Sequence, residues 1–143
     1  MMYLILFLVQ FMLNSTSPNW LTDFNQAKLE AKAQHKYILL SFSGSDWCVP
    51  CIKMKRDYFS SQQFINYSEK NLILVNADFP RKKKNKLPDT IKTQNEILAA
   101  QYNKNAIFPM TILLNDKAEI IKTWEGLPKV SAEKFLQELS LIK

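Results

Sequence analysis

The chain has 143 residues, 47% of them hydrophobic, which fits one domain with a filled core. Its two glycines exclude a phosphate-cradling P-loop and a G-x-G-x-x-G dinucleotide turn. The net charge is +6, and five positive charges lie in one short run, Arg81, Lys82, Lys83, Lys84 and Lys86. That run contains no aromatic residue, and without it the chain is near neutral, so the pattern argues against a nucleic-acid-binding face.

Residues 3–13 are an apolar run, long enough for a signal-peptide core and too short for a comfortable membrane span. Ser15 and Ser17 follow in a small-x-small pattern that predicts a cut after Ser17, although no Lys or Arg precedes the run. The expectation is an export signal or short anchor over residues 1–17 and one domain over 18–143. Export would place the protein in a periplasm, where disulfides form and persist.

Trp20, Leu21, Phe24, Ala27 and Ala31 have helical spacing and predict a helix over residues 19–35. The lone histidine, His35, falls at its end and reads as an exposed residue near a helix C-terminus. Residues 37–42 are a short apolar run and predict a buried strand. A turn over 43–46, with Asp46 as a turn residue, leads to Trp47-Cys48-Val49-Pro50-Cys51. A helix is expected from Cys48, because Pro50 is tolerated only in a first turn. Ser60 and Gln63 fit a capping box that opens another short helix.

Residues 72–78 predict a second buried strand, and 80–88 a basic loop. The basic run reads first as solvated, and second as a docking patch for an acidic partner or an anionic membrane. A helix from residue 89 or 90 to about 102 follows, with Ile91, Ile97, Leu98 and Tyr102 as its apolar positions. Residues 110–114 predict a strand, 119–124 its hairpin partner, and Ser131 the cap of a last helix. The order describes an α/β domain: a βαβ half with parallel strands, then a hairpin and a helix.

Cys48 and Cys51 are the chain's two cysteines. At this spacing they can close and reopen a small disulfide ring. At a helix start, the dipole and unpaired N–H groups favour the reactive thiolate on the first sulfur. Two cysteines and a distant histidine make a poor metal set, so no metal and no cofactor is expected.

Three segments together resemble the thioredoxin fold, and more narrowly exported bacterial thioredoxin-like proteins. They are Phe42 to Cys51, Asn76-Ala77-Asp78-Phe79-Pro80, and Phe108-Pro109-Met110-Thr111. The resemblance spans about Trp20 to Ile142. It implies a central mixed sheet of about four strands flanked by helices. An N-terminal helix would precede that sheet, and an extended basic loop and helix would come before a cis-proline. It implies that Pro109 is cis and that Phe108 offers its backbone to an extended substrate beside the cysteines.

Two departures stand out. Val49 replaces the glycine between thioredoxin's cysteines, and Ser41 stands nearest the position of its buried acid.

The expected function is thiol–disulfide exchange with protein substrates, more as reductase than oxidase. Cys48 is the exposed nucleophile and Cys51 the resolving thiol. Trp47, Phe108 and Pro109 are the expected substrate-binding residues. A monomer is expected, fed by a membrane-bound thiol–disulfide donor. The alternatives are a redox-inert binding module on the same fold and a thiolate metal handler.

Overall fold

The computed structural model describes residues 16–142; residues 1–15 of the expected export segment lie outside them. In chain order these residues form β1 (Trp20–Leu21), α1 (Phe24–Gln34), β2 (Tyr37–Ser43) and α2 (Val49–Lys53), which runs on into a π-helical turn (Met54–Phe59). Next come α3 (Gln62–Asn71), β3 (Leu72–Asp78), a 3-10 turn (Lys83–Asn85), α4 (Asp89–Tyr102), β4 (Met110–Leu114), β5 (Ile120–Glu125) and α5 (Ala132–Ser140).

The strands form one mixed sheet in the order β1-β3-β2-β4-β5. β3 pairs in parallel with β1 and β2, and β4 runs antiparallel to β2 and β5. There are five strands rather than about four, and the addition is β1. Trp20 and Leu21 were read as the first turn of a helix. Instead they pair with Leu74 and Val75 and pack on opposite sides of the sheet, as consecutive strand residues must. The helix starts at Phe24 because the Asp23 carboxylate accepts the Asn25 and Gln26 N–H groups at 2.9 and 3.1 Å. It ends at the exposed His35, whose φ of 53° closes the C-terminus.

Strand alternation splits the interior into two cores. Ile38, Leu40 and Phe42 of β2, with Ile73 and Val75 of β3, meet Phe24 and Ala27 of α1 and Leu98 and Tyr102 of α4. On the other face, Leu39 and Leu74 meet Met54, Phe59, Phe64, Phe135 and Leu139. Each fully buried aliphatic or aromatic side chain contributes roughly 1.5–3 kcal/mol. β2 thus anchors both layers.

The π-helical turn has a packing reason. Met54 and Phe59 are both buried but lie five residues apart. An ideal α-helix would rotate them about 140° from each other, whereas a wider turn puts both on the core. The cap of α3 also differs from expectation. Ser60 donates its hydroxyl to Lys55 O, so Ser61 takes over and accepts the Phe64 N–H at 3.2 Å. In α4, Ile97 faces solvent, and Asn95 is buried instead, donating to Asp78 O at 3.0 Å. Ser131 caps α5 as expected, accepting from Lys134 N at 3.1 Å. Among the described residues, no helix is long and apolar enough to cross a membrane.

Candidate active site

The site is built where β2 ends. Ser43 gives way to a turn in which Gly44 O accepts the Trp47 and Cys48 N–H groups at 3.2 and 2.9 Å. A side chain at Gly44 would collide with the Trp47 indole, so the turn requires glycine there. Cys48 is the N-cap of α2, with extended backbone, and its Sγ accepts the Cys51 N–H at 3.3 Å. Pro50 sits in the first turn, where its missing N–H leaves no broken bond. Cys48 and Cys51 form a disulfide with Cα atoms 5.2 Å apart.

Cys48 was expected on the surface; both cysteines are 4% exposed. The reason is local. In the closed ring the Cys48 sulfur turns inward onto Cys51, engaging both its sulfur and its N–H. The outer edge of the ring belongs to Val49, 60% exposed, and to Ile52, 46% exposed.

Pro109 comes to the cysteines from β4. The Phe108–Pro109 peptide is cis, and Pro109 O accepts the Gly126 N–H at 2.8 Å. Buried Asn103 braces the approach, exchanging two side-chain hydrogen bonds with the backbone of Ile107 at 2.8 and 2.9 Å. Nothing local in the sequence marked Asn103, because its partners depend on the loop's path.

Behind the ring, Cys51 and Pro109 open onto a cavity of about 400 Å³ also lined by Ser41, Ser43, Asn76 and Lys55. Ser41 lies directly between Asn76 of β3 and Thr111 of β4, a polar row across the sheet. This row carries no charge. His35 precedes β2 and Cys48 follows it, so a strand of about 20 Å separates them.

Trp47 and Phe108 are half-buried and pack edge to face at 5.6 Å, with Phe79 against Phe108 at 5.4 Å. The Trp47 indole N–H donates to Phe79 O at 2.8 Å, and the Arg81 guanidinium lies 3.7 Å over its ring. Asp46 does more than turn the chain. Its carboxylate accepts the Arg81 and Lys82 N–H groups and the Asn85 side-chain amide, each at 3.0 Å. These bonds, led by that from Arg81, hold its pKa down at about 2. The basic run is thus fastened to the turn that carries the cysteines.

The chain is similar to known proteins. The chain is 36% identical over 93 residues to the disulfide bond reductase DsbH of Chlamydia pneumoniae, covering 65% of this chain and 54% of that protein. It is 27% identical over 109 residues to the thioredoxin-related protein DsbJ of the same organism, covering 76% and 31%. It therefore spans about half the length of the first of these curated relatives and about a third of the second. A solved structure of a DsbH oxidoreductase superposes with a TM-score of 0.80 at 28% identity, covering 90% of this chain and 85% of that one. A family model described as thioredoxin-like matches residues 19–115, from β1 through the cysteine ring to the end of β4, and on that match the chain belongs to the thioredoxin-like family.

Proposed function

We propose that this protein is a thiol–disulfide oxidoreductase that reduces disulfides in protein substrates. One observation carries the reading: a Cys48–Cys51 ring at a helix N-terminus that shares a cavity with Pro109. The DsbH relative is a disulfide bond reductase, which supports the reductase direction.

In the reduced protein, the helix start favours the Cys48 thiolate. That sulfur attacks one sulfur of the substrate disulfide, the substrate S–S bond breaks, and the departing substrate thiolate takes a proton. Cys51, deprotonated, then attacks Cys48 Sγ. The mixed disulfide breaks, the second substrate thiolate leaves and is protonated, and the Cys48–Cys51 bond closes. Two electrons and two protons reach the substrate. A dithiol donor restores the pair, and a membrane-bound relay fits the role for an exported protein. Residues 1–17 serve as export signal or anchor and 18–143 as the working domain, a monomer in the periplasm. Val49, Ile52, Trp47 and Phe108 supply an apolar rim for polypeptide, and the backbone beside Pro109 supplies strand-like pairing.

Insulin reduction tests this reading. Cys48→Ser abolishes turnover, while Cys51→Ser loses turnover but accumulates a mixed disulfide with substrate. Because Cys48 is covered in the closed ring, alkylation of the reduced protein is the second arm. Cys48 labels first, followed by mass spectrometry. Full activity in Cys48→Ser, or a reduced Cys48 that never labels, overturns the assignment.

A further inference from the structure

The basic run is no free loop. Asp46, two residues before Cys48, holds the backbone of Arg81 and Lys82 and the side chain of Asn85. The Arg81 guanidinium in turn lies over the ring of Trp47, the residue next to Cys48. The carboxylate of Asp46 is thus spent on N–H groups, and the lysine ammoniums stay outward. Lys82, Lys83, Lys84 and Lys86 are exposed, and among the described residues none of them forms an ion pair. Two nearby acids have other partners. Asp78 accepts from Ser45 and Phe79, and Glu96 lies 4.0 Å from Lys92. Lys82, Lys83 and Lys86 also line a groove of about 300 Å³.

We infer that residues 81–86 are a cationic docking wall beside the cysteine ring, held there by Asp46, for polypeptides with acidic residues flanking their disulfide. The inference rests on the reductase reading above and names its substrate class. A bilayer is the poorer occupant: pressed onto this wall, it would also cover Trp47, next to Cys48, and close that side of the ring to substrate. Charge so placed raises encounter rates and selects partners, and both effects fade with salt.

The test uses two synthetic peptides that share one intramolecular disulfide, flanked by Asp and Glu in one and by Ser and Asn in the other. Versions with Ser for Cys report binding alone, through tryptophan fluorescence. At about 20 mM salt the acidic peptide binds, and its disulfide is reduced, about fivefold to tenfold better than the neutral one, as two or three exposed ion pairs would give. At about 500 mM salt the preference disappears. In the combined Lys82→Gln, Lys83→Gln, Lys84→Gln, Lys86→Gln protein, the ratio is already near one at about 20 mM salt.

Reduction of both peptides at equal rates overturns the docking wall and leaves the redox reading standing. Preferential binding of the acidic peptide without reduction of either keeps the wall and removes the redox reading. Equal binding of both peptides, with capture of the wild type but not the variant by phosphatidylglycerol vesicles, assigns the run to membranes and overturns the inference.

Discussion

Asp46 is half-buried, and its carboxyl is held at about 2, below the usual value of 3.8, chiefly by the Arg81 N–H and then by the Asn85 amide. Its folded pKa lies below its unfolded one, so the ionised group stabilises the fold above about pH 4. That contribution fades as pH falls toward 2 and is absent below it. Asp46→Asn removes the titration. Denaturant unfolding followed from pH 5 down to 2 should show a flatter acid limb in the variant, the slopes differing by up to about one bound proton. Asp57, held low by its pairing with Arg56, titrates in both proteins and cancels in the comparison. Identical limbs would mean that the latch is loose in solution and Asp46 an ordinary surface acid. The turn chemistry of Asp46 was legible in the sequence, but this role was not, because its partners lie 35 to 39 residues away.

Elements with their own chemical punctuation were readable. Ser131 announced α5, the β-branched and leucine-rich runs announced β3 and β4, and Trp47 to Cys51 announced the helix start that makes the site. What escaped was structure decided by tertiary packing. A two-residue strand has no period to detect, so Trp20 and Leu21 joined the helical stripe of Phe24 and Ala27. The π-helical turn exists because Met54 and Phe59 share a core, and no local propensity encodes it. Ile97 counts among the apolar positions of α4, yet the helix face it occupies is exposed. The true start of α1 has a direct check. With Asp23 as N-cap, Asp23→Ala should cost about 1 kcal/mol in unfolding free energy by urea titration. Were the helix to begin at residue 19, the change would lie in its interior and leave stability unaltered or raised, alanine being the better helix former.

The direction of electron flow belongs to the whole molecule, because it compares two folded states. The Cys48–Cys51 ring encloses only Val49 and Pro50, so closing it constrains the unfolded chain modestly, by about 2 kcal/mol on a loop-entropy basis. Reduction returns that freedom to the unfolded chain. In exchange, the folded protein gains a thiolate at the start of α2, worth about 0.3–1 kcal/mol. The oxidised protein should therefore be the more stable by about 1–2 kcal/mol, which makes the folded pair a better reductant than the same cysteines in the unfolded chain by roughly 20–40 mV. Strong oxidants have the opposite balance, with the reduced form favoured. The positive charge of Arg81 over Trp47 also favours the thiolate, so it works against the gap, and salt that screens it should widen it. Parallel guanidinium unfolding of the oxidised and dithiothreitol-reduced proteins measures the difference directly. A higher midpoint for the oxidised form agrees with a reductase. A higher midpoint for the reduced form would reverse the direction of transfer while leaving the fold and the cysteine pair as they are.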